Sequence, residues 1–375
     1  MSNKPILFNM PPSELEQFVV GLGQPRFRAK QVQEWLYRGA PDFSVMKNLP
    51  ESLRRDLGRA AQTLPCTIEQ KLESLDRQTT KFLLRTTDTN QQHDIIETVL
   101  MRTSYGNSVC VSSQAGCAMG CKFCASTLLG LKRNLTANEM LAQVLAAQWE
   151  LRTRLAPHDA HKVRANGDPN NNDVSHIVVM GTGEPLQNTE NLRGFLGTAN
   201  AKLGISWRRM TVSTCGIVPG INELTEWARP VNLAISLHAP NDELRGELMP
   251  INKRYPIADV LDAAFAHSER TGRQLMIEYI LLDFPTPNRG TGGGNYAPEH
   301  AEQLSALLKD KSVMVNLIPW NAVAERGDLS APSNNAVHRF QDILKENGIH
   351  TRIRRERGAD IGSACGQLRL NPQPL

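Results

Sequence analysis

Three cysteines carry the densest chemistry in this chain. They stand in the run Cys117-Ala-Met-Gly-Cys121-Lys-Phe-Cys124, a C-x-x-x-C-x-x-C spacing on a short Gly-containing loop. Thiolates are soft donors, and three this close suit an iron–sulfur cluster or zinc. A structural zinc site wants a fourth Cys or His at regular spacing, and none follows locally. Three thiolates on a cubane of four irons leave one iron without a protein ligand, and an open position is how a metal centre engages a substrate. The competing reading is a zinc site completed by a distant residue such as His176.

Further small polar residues fall where apolar runs end. Gly181-Thr-Gly-Glu184-Pro follows one such run; its glycines let backbone approach a ligand, and Glu184 can accept a hydrogen bond from an ammonium. Ser213-Thr-Cys-Gly, Ser236-Leu-His238 and Pro319-Trp-Asn321 close three others. Polar residues at several strand ends around one mouth describe a binding site. Taken singly, the Gly-x-Gly is a turn and His238 a core histidine.

The elements that must position these groups are six apolar, β-branched runs: Val109–Ser112, His176–Met180, Met210–Ser213, Val231–Leu237, Leu275–Leu282 and Val313–Ile318. Helical patterns separate them, which implies a parallel sheet, closed or partly closed, with helices outside and ligand chemistry at the C-terminal strand ends. Upstream, Ser13-Glu-Leu-Glu16 has capping-box spacing before a helix closed by Gly21 and Gly23. A second helix is expected over Phe27–Tyr37 and a third after Pro50 through Leu53 and Leu57. Thr80–Arg85 and Ile95–Leu100 read as strands of an extension. The stretches 156–173 and 285–298 have loop composition and no catalytic look.

A chain of 375 residues with 40% hydrophobic and 21% charged residues is a soluble globular protein of two to three domains, which excludes wholesale disorder and a small disulfide scaffold. The net charge of +4 fits an RNA or phosphate partner and many ordinary enzymes alike. No secretory signal and no membrane-length apolar run is present, so a cytoplasmic location is expected, and seven cysteines point to metal or thiol chemistry. No fixed-period repeat occurs.

The cysteine loop, the Gly-x-Gly-Glu-Pro turn and the six strand–helix units resemble the radical S-adenosylmethionine (SAM) enzymes. Phe27-Arg-Ala-Lys-Gln-Val, Cys110-Val-Ser-Ser-Gln-Ala-Gly-Cys117, Asn134-Leu, Ser236-Leu-His-Ala-Pro-Asn241, Pro250-Ile-Asn252, Leu317-Ile-Pro-Trp-Asn321 and Ala364-Cys-Gly-Gln367 resemble, more closely, the RlmN/Cfr family of dual-specificity RNA methyltransferases, over nearly the whole chain. The resemblance implies an α/β fold, a partial (βα)6 barrel. Its domains would be a helical accessory RNA-binding domain at 1–62, a strand-rich extension at 63–102, the barrel at 103–356 and a flexible carrier segment at 357–375.

It further implies one [4Fe-4S] cluster on Cys117, Cys121 and Cys124, with SAM chelating the open iron and touching Gly183, Glu184, Ser213, Ser236, Leu237, His238 and Asn321. Two SAM molecules would serve each turnover, one as methyl donor and one as source of a 5′-deoxyadenosyl radical. Carbon 2 of adenine is no nucleophile, so direct displacement on the SAM methyl is closed to it, whereas a carbon radical can add there. Cys365 matches the S-methylcysteine carrier, in a segment where Gly358, Gly362 and Gly366 supply backbone freedom. Cys110 matches the thiol that releases product by forming a transient disulfide, and Glu97 the proton acceptor. Without the resemblance, Cys365 reads as an inert tail cysteine, Cys110 as a small buried hydrophobe, and Glu97 as a strand carboxylate facing a cavity, a paired charge or solvent. Cys66 and Cys215 read as packing residues.

Implied partners are 23S rRNA before or during ribosome assembly, tRNA, and a flavodoxin- or ferredoxin-like electron donor, with the chain a monomer and no membrane involved. Phosphate contacts are expected from Lys132-Arg133, Arg208-Arg209 and Arg352–Arg355 with Arg357, and from Arg26, Arg28 and Lys30 in the front end. Pro185 and the long helical front end favour the RlmN branch, with carbon 2 as target, over the Cfr branch, with carbon 8. Thr182 and Cys215 depart from the usual RlmN pattern of Met and Ser. From another class, a non-enzymatic RNA-binding protein with a zinc-stabilised fold is the alternative.

Overall fold

A computed structural model of the chain describes residues 4–87, 93–154, 173–284, 294–354 and 357–368. Most of the two expected inserts, and Arg355, lie outside these residues. The antiparallel extension comprises β1 (Cys66–Glu73), β2 (Thr79–Thr87) and β3 (His93–Thr103). It leads into β4 (Gly106–Cys110), then a small hairpin of β5 (Gln114–Gly116) and β6 (Leu131–Asn134). The strands that follow are β7 (Val174–Val179), β8 (Met210–Thr214), β9 (Asn232–Ser236), β10 (Leu275–Leu281), β11 (Val313–Pro319) and β12 (Thr351–Ile353).

Apart from the hairpin, these strands build one ten-stranded sheet in the order β1-β2-β3-β4-β7-β8-β9-β10-β11-β12. Pairing is parallel from β4 onward. The helices are α1 (Pro12–Gly21), α2 (Phe27–Tyr37) and α3 (Glu51–Ala60) in the front end. The crossovers carry α4 (Ala137–Thr153), α5 (Thr189–Leu203), α6 (Val218–Glu226), α7 (Asp242–Leu248), α8 (Ile257–Thr271), α9 (Pro298–Leu308) and α10 (Asn334–Glu346). This is the expected α/β class, a partial (βα)6 barrel with a helical front end. All six anticipated parallel strands are present. The short β5, β6 and β12 were not anticipated, since three or four residues carry no readable period.

Two local expectations fail for physical reasons. The helix α1 starts at Pro12 behind Pro11 and has no side-chain cap, because proline at the first helical position presets φ; Ser13 therefore lies inside the first turn instead of capping it. The box forms elsewhere, at α4, where Thr136 Oγ1 accepts from Glu139 N and Glu139 Oε2 accepts from Thr136 N. The first parallel strand, expected to reach Ser112, stops at Cys110. Beyond it the backbone of Ser112 is served by a buried side chain: its N–H donates to Gln143 Oε1 at 2.8 Å and its carbonyl accepts from Gln143 Nε2 at 2.9 Å.

The main core is continuous, joining Val19, Val32, Leu36, Leu53 and Leu57 of the front helices with Leu141 and Leu145 of α4 and the inward residues of the sheet. A second apolar cluster, around Phe123, Ile280, Ile318 and Trp320 together with Cys117, Cys121 and Cys215, covers the C-terminal end of the strands. No helix of the described residues is long and apolar enough to cross a membrane.

Candidate active site

The C-terminal ends of the parallel strands open onto a cavity of about 160 Å³ that is partly open to solvent. Its wall brings together Cys117, Cys121, Cys124, Gly183, Glu184, Ser213, Ser236, His238 and Cys365. Leu237 and Asn321 are buried beside this wall rather than in it. Glu97 and Cys110 stand on β3 and β4. His176 lies within β7, hydrogen bonded to Ser175 and edge-on to Tyr105, and is absent from the cavity wall, which removes it as a partner to the cysteine loop.

The cysteine loop is held by backbone bonds from Cys117 N to Gly130 O and Lys122 N to Leu248 O, and by Thr127 Oγ1 donating to the carbonyls of Cys121 and Cys124. Burial pushes the Cys117 thiol up to about 12 and Cys121 well above its ordinary value, with the neighbouring sulfurs adding repulsion. Such a trio becomes thiolate only against a strong cationic centre. Among the described residues no three His, Cys, Asp or Glu side chains converge as a single ion requires. Three soft sulfur donors on one loop are the donor set of an iron–sulfur cluster, which places each ligand on a different iron.

Opposite the loop, Glu184 accepts from Leu186 N at 2.9 Å and from Cys215 N at 2.8 Å, while its own N–H donates to Gln114 Oε1 at 2.8 Å. Burial raises its pKa and the two backbone donors oppose that shift. Each carboxylate oxygen keeps acceptor capacity for an ammonium, which is what the SAM amino group would supply. The preceding Gly183 has φ +106, and a Cβ there would lie 2.6 Å from Gln114 Cβ. Gly183→Ala should therefore displace both Gln114 and the Glu184 backbone, destabilising the fold by about 1–3 kcal/mol, with a lower melting temperature and weakened SAM binding in calorimetry.

His238 answers to both of its readings. Ile280 N donates to its Nδ1 at 3.0 Å, which leaves the proton on Nε2, and the ring still lines the cavity. Burial, helped by nearby Arg245, drives its pKa down to about 3, so the ring is neutral at physiological pH. Its backbone has φ 59, uncommon for a non-glycine residue. That conformation is supported by Asn295, whose Nδ2 donates to His238 O and Ile280 O while its Oδ1 accepts from Leu282 N.

Asn295 ends a stretch of loop composition, and no sequence signal marks it. Arg245 was equally unforeseen: fully buried, it donates to the carbonyls of Cys215, Ser236, Leu237 and Tyr255 and to Asn252 Oδ1, tying the ends of β8 and β9 together. Cys215, read as a packing residue, reaches the cavity wall as well.

Residues 357–368 cross from β12 back to the extension and the cysteine loop. Asp360 accepts from Leu75 N, Gly362 O accepts from Lys81 Nζ, Cys365 O accepts from Asn321 Nδ2, Gly366 O accepts from Ala125 N, and Leu368 O accepts from Ser126 Oγ. Cys365 is exposed and Cys110 half-buried. Burial pushes the Cys110 thiol up to about 12; a smaller like-charge contribution comes from Cys365, and Arg354 opposes it. Arg354 sits in the cavity wall, paired at 3.5 Å with buried Glu278, which also accepts from Asn316 Nδ2 at 2.8 Å. Glu97 is almost fully buried against Lys81, Nζ to Oε1 3.1 Å, which selects the paired-charge reading.

Two of the basic pairs expected to meet phosphates are corrected. Arg133 is engaged inside the protein by Asp94, Glu139 and Thr86. Arg208 and Arg209 precede β8 and so sit at the opposite end of that strand from the cavity. Arg26, Lys30, Lys132 and Arg352 remain exposed.

A parallel α/β sheet with three cysteines on the loop after its first parallel strand is the arrangement of the radical SAM enzymes. The crystal structure of a radical SAM methyltransferase from Sphaerobacter thermophilus is 40% identical and superposes with a TM-score of 0.79, covering 98% of this chain and all of that one. A probable dual-specificity RNA methyltransferase RlmN of Symbiobacterium thermophilum is 45% identical over 96% of this chain and 90% of its own. A probable enzyme of the same name from Bacillus thuringiensis is 43% identical over 98% and 94%. Residues 6–63 match the ribosomal RNA large subunit methyltransferase N-terminal domain. The chain belongs to the RlmN family of dual-specificity RNA methyltransferases.

Proposed function

We propose that the protein methylates carbon 2 of an adenosine in the peptidyl-transferase region of 23S rRNA, and carbon 2 of the tRNA adenosine beside the anticodon, with Cys365 carrying the methyl group. The observation that carries this reading is that Cys365 shares one cavity wall with Cys117, Cys121 and Cys124 and with Gly183, Glu184, Ser213, Ser236 and His238. The three loop cysteines would hold a [4Fe-4S] cluster, and the strand-end residues, with Leu237 and Asn321 behind them, would hold SAM. When bound, the pair would supply a methyl group, a hydrogen-abstracting carbon radical and an acceptor for the one electron left at the end.

The chain's own residues do the rest. Cys365 takes a methyl group on sulfur; loss of one hydrogen atom from it leaves a sulfur-bound methylene that adds to carbon 2 and joins RNA to protein. Glu97 removes the carbon 2 proton. Cys110 forms a disulfide with Cys365, the carbon–sulfur bond breaks, and the Cys110 thiol proton completes the new methyl group. A thiol reductant then reopens the disulfide. Two SAM molecules are used per turnover, and a flavodoxin- or ferredoxin-like protein delivers the electron. The segment 1–62, with exposed Arg26 and Lys30, would bind RNA, which must present the base splayed from its stack. We place the protein in the cytoplasm as a monomer acting on rRNA not yet assembled into ribosomes.

Mass spectrometry of methylated RNA fragments tests the reading: the methyl group is expected on carbon 2, and a methyl on carbon 8 would assign the chain the Cfr-type reaction instead. Anaerobic reconstitution with iron and sulfide should give a brown protein holding about four irons, and Cys121→Ala should remain colourless under the same treatment.

A further inference from the structure

Lys81 is a buried charged group that the proposed chemistry does not use. Lys81 stands on β2 opposite Val99 of β3, and Cys110 of β4 stands opposite Val99 from the other side. Glu97, two residues before Val99 on β3, points to the same face of the sheet. Lys81, Glu97 and Cys110 therefore share one face, the face against which residues 357–368 lie. The ammonium of Lys81, with a side chain only 7% exposed, meets Glu97 Oε1 at 3.1 Å and donates to the carbonyl of Gly362 at 3.1 Å. An ammonium is a compact charge with three donors and no acceptor, so it can serve a carboxylate and a carbonyl at once. Gly362 sits at φ +58, and that backbone aims its carbonyl at the lysine without a side chain between them.

The geometry assigns Lys81 as a positioning residue that clamps the carrier segment to the strand bearing the proton acceptor, holding Glu97 as a carboxylate and Cys365 within reach of the same face. This rests on the carrier and acceptor roles proposed above. It separates two steps of the reaction. Methyl transfer to Cys365 has no use for Glu97, whereas release of RNA does. Removing a cation from beside a buried carboxylate disfavours its charged form, so losing Lys81 should slow release far more than loading.

The test uses full-length reconstituted protein carrying Lys81→Met, Lys81→Arg or Cys365→Ala. In Lys81→Met, labelled methyl incorporation into Cys365 is expected within about threefold of the parent, while covalent RNA–protein adduct accumulates and released methyl-RNA falls at least tenfold. Lys81→Arg, which keeps charge and donors, should restore release to within a few-fold. Without cofactors or RNA, amide hydrogen exchange of residues 358–367 should quicken at least tenfold in Lys81→Met and stay near the parent in Lys81→Arg, the other strands being unaffected.

Loading and release falling together, or unchanged exchange in residues 358–367, would overturn the assignment. If Lys81→Met does not fold, Lys81→Gln decides: it removes the charge but keeps a donor, so adduct should still accumulate, and normal release would refute the assignment of Lys81 as the cation that supports Glu97. Cys365→Ala separates the two levels. RNA methylation surviving in that variant would defeat the carrier reading itself, whereas its loss alongside a normal Lys81→Met defeats only the clamp.

Discussion

Cys110→Ala is expected to convert the enzyme into a trap for its own substrate. The variant keeps Cys365, the cavity wall and Glu97, so loading and attack on the base proceed. What it lacks is the second sulfur needed to free the product. Each molecule should end joined to one RNA, seen as a nuclease-sensitive band of slow mobility and, after digestion, as a Cys365 peptide bearing a nucleotide. Multiple-turnover methylation should fall by about three orders of magnitude, as when one member of a cooperating catalytic set is deleted. Alanine at position 110 fits on β4 opposite Val99 and Val178, so the loss is chemical rather than structural. Turnover at the parent rate would refute the two-cysteine scheme.

Cys365→Ala should be less active still and leave no adduct. Its side chain is exposed, and the segment is held through backbone carbonyls, to Asn321, Ala125 and Lys81, that alanine leaves intact. Iron loading and SAM binding should therefore match the parent, while labelled methyl enters neither protein nor RNA, a loss of about 10⁴-fold or more. The pair of variants separates the roles: one stops after the covalent bond to RNA, the other before it. Persistent RNA methylation in Cys365→Ala would show that the methyl group travels by another path.

The loop cysteines, the Gly183-Glu184 turn and the strand ends were legible because their chemistry is local: types and spacing within a few residues carry the signal, and the parallel strands are long enough to show their pattern. The rest depended on contacts between distant parts of the chain. Lys81 reads as an ordinary strand lysine until Gly362 lies against it. Arg245 carries no local signal, and Asn295 closes a glycine-rich insert, yet both are buried supports of the strand ends. The strand end at Ser112 was misplaced for the same reason, since a glutamine from α4 replaces the next strand there. Basic pairs misled in the opposite direction: adjacent basic residues suggest a surface, but Arg133, beside Lys132, is spent on Asp94 and Glu139.

The sulfur proposed to carry the methyl group, that of Cys365, rides on the stretch of backbone that spans from the last parallel strand to the antiparallel strands at the far side of the sheet. A nucleotide in the middle of a long polymer has no free end to thread, so under the proposed chemistry it would come in sideways past that strap. Any motion of the strap that admitted it would also move the sulfur of Cys365. A folded RNA would then be selected partly by its ability to present a base past this bridge.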